Sequence, residues 1–434
     1  MKNILRILLV LAILLSSFAF AEDEFVKTGI NVGPLPSVAY NSDTGFQYGL
    51  LANIFFYGDG AIYPDYYHNL YVEWNRTTKG AGLAQVTYDS KYLIPDVRVT
   101  ADLSYIEKNA WGFYGFNGAE SQYNASWLDT GAVDFKNPLY YAMKRNNFRF
   151  TANFQGNITN KSFRWLGGLG YLNFDVSSVK ETKAWSPIND KKNYAVLSTL
   201  YDDLLDWDAI DSTEANGGPV TYLKAGLVYD TRDNEACPMS GLWEELILTY
   251  APGINGLNES GWLQLSAIHR QYFTLAPDKL SLTYRLGYQG IIAGKQPFYL
   301  QGNMPNSKSN VDGLGGSKTV RGIMAARLVG DAYVYGNLEV RWKIIRFNWI
   351  GQSWYFGINP FVDAGMVVKP YDYAKSNIPA VGYLTDNSET VHLGYGLGIK
   401  LAMNENMILA VDYGFAGSSN DGSTGLYIGL GYLY

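Results

Sequence analysis

From Gly45 the sequence reads GFQYGLLANIFF, and that alternation constrains the fold more than any other feature. Phe46, Tyr48, Leu50, Ala52, Ile54 and Phe56 fall on one face of an extended chain, while Gln47, Gly49 and Asn53 fall on the other. Side chains of a strand alternate with period two, and about eleven residues at a tilt are enough to cross an outer membrane. The pattern returns where Val97, Val99, Ala101, Leu103 and Tyr105 alternate with Arg98, Thr100, Asp102 and Ser104. It returns again where Leu338, Val340, Trp342 and Ile344 alternate with Asn337, Glu339, Arg341 and Lys343. A soluble β-sandwich, the alternative, puts apolar residues inside and polar ones outside. Here charges stand in rows on one face and aromatics crowd the other, which suits a lipid-facing exterior and a wet interior.

Counting such segments predicts an all-β, 16-stranded antiparallel transmembrane β-barrel over residues 35–434, the first strand near 35–41 and the last near 425–434. An even number of strands closes the sheet without a free edge and returns both ends to the periplasm. The connections agree with that phase. Those near 275–277, 350–354 and 404–406 are short, whereas 107–146, 177–220, 293–330 and 369–391 are long and fall on the outer side.

Residues 1–21 have the form of a secretory signal peptide, with Lys2 and Arg6, an apolar core from Ile7 to Leu15, and Ala19-Phe20-Ala21 before a cut at Glu22. Residues 22–34 then form a short N-terminal segment. Tyr occurs 35 times and Trp 11 times among 434 residues, beside 46 glycines, a composition that fits one large barrel better than several soluble domains. Removing the signal leaves a net charge of about −8, which argues against nucleic acid as a partner. Cys237 is the single cysteine, so no internal disulfide forms, and it reads as a small turn residue. His68, His269 and His392 are scattered, so no metal site built on histidine is expected, and no cofactor is implied. No nucleophile–histidine–carboxylate spacing points to an enzyme. Asp230, Asp233, Glu244 and Glu245 read as wall and turn residues.

The glycine-rich run GLGGSKTVRGI, Gly313 to Ile323, resembles a phosphate-binding loop only superficially. Ser317 stands where the second glycine of that motif belongs, and a strand follows where a helix is needed. A different resemblance is fuller. The segments GGSKTVRGI…GDAYVYGNLEVRW, GLVYDTRDNEACPMSGLWEE and PFVDAG occur in the order found in the BamA/TamA-type outer-membrane barrel superfamily, also called Omp-eighty-five or bacterial surface antigens. The last strand, GLYIGLGYLY, adds to it: Leu426, Ile428, Leu430, Tyr432 and Tyr434 share one face. Gly429, Tyr432 and Tyr434 match the spacing of the C-terminal targeting signal of such barrels.

The resemblance implies a sixth extracellular loop inserted into the lumen, with Gly315, Gly316, Val320 and Gly322 shaping it. Arg321 would pair with Asp363, with Glu339 as second partner. The alternation agrees, since it places both carboxylates on the polar face. Ile323 stands where the family motif usually ends in Phe or Tyr. Family insertases carry periplasmic POTRA domains, for which about a dozen residues leave no room, so the likeness is to a barrel-only branch. It implies a bacterial outer-membrane protein assisting insertion or translocation of other outer-membrane proteins, through a seam between residues 35–41 and 425–434. Outer-membrane lipids, lipopolysaccharide, client proteins or periplasmic chaperones would be its partners, and the BAM machinery would insert it. Two other readings stand beside it: a permeation barrel whose lumen is set by Arg98, Asp102, Arg341 and Lys343, and a surface protein acting through its outer loops. The stretch from Tyr201 to Glu214, with Asp202, Asp203, Asp206, Asp208 and Asp211, reads as a solvated acidic loop.

Overall fold

A computed structural model describes residues 26–63, 65–179, 197–254, 260–307, 310–349, 352–379, 382–385, 387–405 and 407–434. The expected signal peptide lies outside them. Strand segments join into one antiparallel sheet that closes on itself as a sixteen-stranded barrel. The first stave, β1, consists of Ile30–Pro36 and Ala39–Asn41, interrupted at Ser37 and Val38. It is followed by β2 (Gly45–Phe56), β3 (His68–Thr77), β4 (Ala81–Ile94), β5 (Val97–Lys108) and β6 (Ala142–Asn160). Next come β7 (Phe163–Ser178), β8 (Gly217–Asp230), β9 (Gly241–Ala251), β10 (Trp262–Ala276) and β11 (Leu280–Gly294). The last five are β12 (Ala332–Trp349), β13 (Gln352–Lys369), β14 (His392–Met403), β15 (Met407–Ala416) and β16 (Thr424–Leu430).

The faces run opposite to those of a soluble protein. Leu338, Trp342, Val362 and Tyr395 are exposed on the outside of the wall, while Asn337, Glu339, Arg341 and Asp363 are buried on its inside. Apolar atoms exposed on every strand are stable only where the surroundings are themselves apolar, so the alternation of the sequence is a membrane alternation.

The lumen is not uniformly wet. Its outer part holds an apolar cluster that joins Phe116, Tyr140, Leu204 and Phe298 from the outer connections to inward-facing Leu172 and Val220 of β7 and β8. The long outer connections thus fold onto one another as a cap. The acidic stretch belongs to that cap. Leu200–Asp206 is a helix, α1, begun by a capping box between Thr199 and Asp202, with Leu200, Tyr201 and Leu204 buried beneath it. Asp203 accepts the Tyr140 hydroxyl at 2.7 Å and Asp208 the Asn377 amide at 2.9 Å. A solvated loop is therefore the wrong description, because the apolar residues between the acids have a surface to cover.

Two other boundaries differ from expectation. β1 begins at Ile30, inside the segment read as a lead-in. The final strand stops at Leu430 and does not continue to Tyr434. Gly431 adopts φ +85°, a left-handed conformation that turns the chain off the wall. Tyr432 and Tyr434 then leave the lipid-facing row and enter the lumen, where both rings lie beside the Arg341 guanidinium, at 4.2 and 5.1 Å.

The closure is local. β16 and β1 are joined by two register pairs, Tyr40 with Ile428 and Asn41 with Tyr427. Every other neighbouring pair of staves shares at least seven, as β15 and β16 do. Ser42 adds hydrogen bonds to Leu426 at the outer end. Below this point, among the described residues, Ile30–Pro36 of β1 pairs only with β2.

Candidate functional site

The connection between β11 and β12, residues 295–331, is the sixth on the outer side. It folds back as a narrow finger. Leu314 and Leu328 exchange backbone hydrogen bonds of 3.1 and 3.2 Å, and the Gly316 amide donates to the Ile323 carbonyl at 2.8 Å. The Thr319 hydroxyl accepts from the Gly315 amide at 2.8 Å inside the turn. Gly315 sits at φ +113°, where a Cβ would lie 2.0 Å from the Met324 carbonyl oxygen, so no larger residue fits. Gly316 is likewise left-handed. Val320 and Ile323 are fully buried beside Leu314 and Leu328. The aliphatic side chain of Ile323 thus packs where the related motif carries an aromatic ring.

Arg321 is carried at the finger's tip and is completely buried. Its Nε and Nη2 donate to the two oxygens of Asp363 at 2.8 and 3.0 Å, and its own backbone amide adds a bond of 3.0 Å to Asp363 Oδ2. Its Nη1 lies 2.7 Å from Glu339 Oε1, an ion contact that is not aligned as a hydrogen bond, and 3.6 Å from Asp412 Oδ2. The Phe361 ring lies against the guanidinium at 3.5 Å. Burial would lower the pKa of the guanidinium, but the charges of Asp363 and Glu339 outweigh it and hold it above its ordinary value. Charge balances across the cluster. Glu339 also accepts from Arg341 at 2.9 Å and Asp412 from Lys400 at 2.6 Å, so three cations face three carboxylates.

The wall is shaped to receive the finger. Asp363 on β13 is the register partner of Gly394 on β14. A Cβ on Gly394 would lie 2.0 Å from the Arg321 carbonyl oxygen, so the backbone of the loop rests directly on that of the strand. Gly414 of β15 makes a similar dent under Gly322. The tip also touches both sides of the closure. The Gly322 amide donates to the Tyr427 hydroxyl of β16 at 3.2 Å. On the β1 side, Asn41 Nδ2 donates to Ser317 Oγ at 3.4 Å, and Asp43 accepts from the Ala325 amide at 3.1 Å. A second buried arginine, Arg327, donates to the carbonyl oxygens of Ser121 and Asn420 at 2.8 and 2.9 Å, tying the finger's return limb to the cap. Arg341 extends the charge cluster downward, since its Nη2 donates to a Tyr434 backbone oxygen at 2.8 Å.

The residues singled out in the sequence come together in this geometry as one cluster: Arg321, Asp363, Glu339, and the loop residues Gly315, Gly316, Val320 and Gly322. Gly429 lies apart on β16, opposite Ala410. Of the charges expected in the lumen, Arg98 pairs with Asp89, Asp102 with Arg149, and Lys343 with Glu405. Cys237 is buried with its sulfur 3.2 Å from the Tyr355 hydroxyl. Asp412, Phe361, Tyr427, Gly394 and Arg327 had not been singled out. The alternation places Asp412 on the polar face opposite Gly398, and that phase was the available signal.

Residues 77–433 match the Omp85 superfamily domain. A search of curated protein sequences found no match. Among solved structures, BamA from Haemophilus ducreyi lacking POTRA domains 1–3 aligns over 94% of this chain and 71% of its own, with a TM-score of 0.56 at 14% identity. CdiB from Escherichia coli aligns over 95% of this chain with a TM-score of 0.54 at 10% identity, and the chain spans 64% of its length. At these identities the likeness is one of fold.

Proposed function

The chain belongs to the Omp85 superfamily and is a bacterial outer-membrane barrel; from that premise we propose that it assists the insertion or translocation of other outer-membrane proteins, without chemical catalysis. The observation that carries this reading is the closure. Two register pairs hold β16 to β1, and one inserted loop spans them, bonded to Tyr427 on one side and to Asn41 and Asp43 on the other. A strand edge with free N–H and C=O groups is a template for another strand. Among the described residues, Ile30–Pro36 presents an unpaired edge below the closure, with N–H donors at Ile30 and Val32 and none at Pro34 and Pro36, which offer carbonyls alone. The buried arginine, held by three carboxylates, fixes the loop that braces it.

A permeation role fits less well, because the apolar cap fills the outer part of the lumen.

The test is a reversible lock. Tyr40→Cys and Ile428→Cys, combined with Cys237→Ser, place two thiols across the closure at the register pair that does not hold the loop. In a strain depleted of the native protein, the reduced variant is expected to restore the levels of other outer-membrane barrels, measured by quantitative proteomics, and the oxidised variant to fail. Equal restoration by both forms would rule out an opening seam. Unchanged barrel levels on depletion itself would remove the assembly role.

A further inference from the structure

Beneath the apolar cap the lumen keeps a separate polar cavity of about 410 Å³, walled by β4 to β9 and reaching Glu235 in the periplasmic connection after β8. Five basic and four acidic side chains line it. Most are matched. Arg98 grips Asp89 through bonds of 2.7 and 2.9 Å, and Arg149 bonds Asp102 at 2.8 Å. Arg232 and Arg164 both draw on Asp230, at 2.7 and 3.3 Å, which leaves the buried Arg164 Nε without a partner.

Lys224 of β8 is left over. It is 6% exposed, and among the described residues its ammonium has no hydrogen-bond or ion-pair partner. The carboxylate whose charge reaches it, Glu245, is already taken by Arg270 at 2.8 Å and by the Ser307 amide at 2.9 Å. The local backbone explains how the lysine is aimed. Lys224 and Asn153 are both register partners of Gly168, from opposite sides. No side chain stands between them, and their ends converge over the glycine. A Cβ there would lie 2.6 Å from Asn153 Oδ1 and 3.3 Å from Lys224 Cε. Asn153 Oδ1 is also buried without a partner.

A buried ammonium without a counter-charge is costly, and so is each buried polar atom left unpaired. An oxyanion in the cavity supplies the Lys224 ammonium with the counter-charge it lacks. We propose that this cavity binds a phosphate-type oxyanion entering from the periplasm, with Lys224 as the anchoring cation and Arg149 as a flanking donor. The volume accepts phosphate with a small organic substituent. The phosphate is free or is borne by a lipid headgroup at the periplasmic mouth, and both share the recognition chemistry.

The experiment uses the full chain, purified in detergent, titrated calorimetrically with inorganic phosphate and, separately, with dihexanoyl phosphatidic acid. Saturable binding of either probe is expected. Lys224→Met is expected to weaken it at least tenfold, Lys224→Arg to retain it within a few-fold, and Lys91→Met, at the exposed Asp65 pair, to leave it unchanged. Binding of phosphate alone assigns a free ligand, and binding of the lipid alone assigns a headgroup. Absence of saturable binding for both probes overturns the proposal. So does binding that Lys224→Met leaves intact while the variant keeps the electrophoretic heat shift of a folded barrel.

Discussion

Asn41 and Tyr427 are register partners across the closure, and each also holds the sixth loop: Asn41 through Ser317 at 3.4 Å and Tyr427 through the Gly322 amide at 3.2 Å. The rung that shuts the barrel is therefore also the rung on which the loop rests. Tyr427→Phe removes the acceptor and leaves the Gly322 amide unpaired in a buried place, at a cost of about 1–3 kcal/mol. The expected result is a lower urea midpoint for loss of the folded electrophoretic form, with Asn41→Ala producing a smaller shift.

Arg321→Ala strips the balancing cation from Asp363 and Glu339. Breaking a buried pair from one side costs about 3–5 kcal/mol. The loop is expected to become sensitive to added protease and the barrel to lose stability. Arg321→Lys is expected to rescue little, because it cannot make the two-pronged contact with Asp363. Pairing Arg321→Ala with Asp363→Asn should cost less than the sum of the two changes, which a double-mutant cycle measures. Additive costs would mean that the two residues do not act together.

Gly394→Val tests the dent in the wall without touching any charge. The added Cβ meets the Arg321 carbonyl oxygen, so the finger has to lift. The variant is expected to show the protease sensitivity of Arg321→Ala, whereas Gly429→Ala, with open space around its Cα, is expected to behave like the native chain.

Asp312, at the base of the finger, supplies a pH dependence. Burial would raise its pKa, but the charges of Lys108 and Arg145 outweigh that and hold it well below the ordinary carboxylate value. A carboxyl depressed in the folded state contributes stability that is complete above its unfolded pKa of about 3.9 and lost as pH falls toward the folded value. Unfolding midpoints measured from pH 6 down to pH 3 should fall, and Asp312→Asn should flatten the decline.

The apolar cap gives a prediction about conduction. Reconstituted in planar bilayers, the native chain is expected to show little steady conductance. Replacing Phe116 and Phe298 in the cap by alanine should raise it. A large steady conductance in the native chain would favour the permeation reading.

The wall was legible in the sequence because a strand with lipid on one side and charge on the other prints its phase in every second residue. Glu339 and Asp363 could be placed inward by that phase, and the resemblance supplied Arg321 as their partner. Asp412 carried the same phase but no motif, and its part in the cluster depends on how β15 lies in register with β14. Nothing in the sequence sets Gly394 and Gly414 apart from the other glycines of the wall. Their use as a seat for another backbone depends on where the loop comes down. Tyr432 and Tyr434 continued the alternation of β16, and one backbone angle at Gly431 overrode it. The helix α1 was hidden by its acids, which the eye weighs more heavily than the leucines between them.

The apolar cap and the cavity beneath it have a consequence for traffic. With an apolar cap among its described outer connections and a polar hollow that reaches the periplasmic connection after β8, the barrel resembles a cup more than a pipe. A solute that enters the hollow has to return by the mouth it came through. Under the proposed role a polypeptide would have one further exit, sideways through the wall, at the place where two rungs hold it.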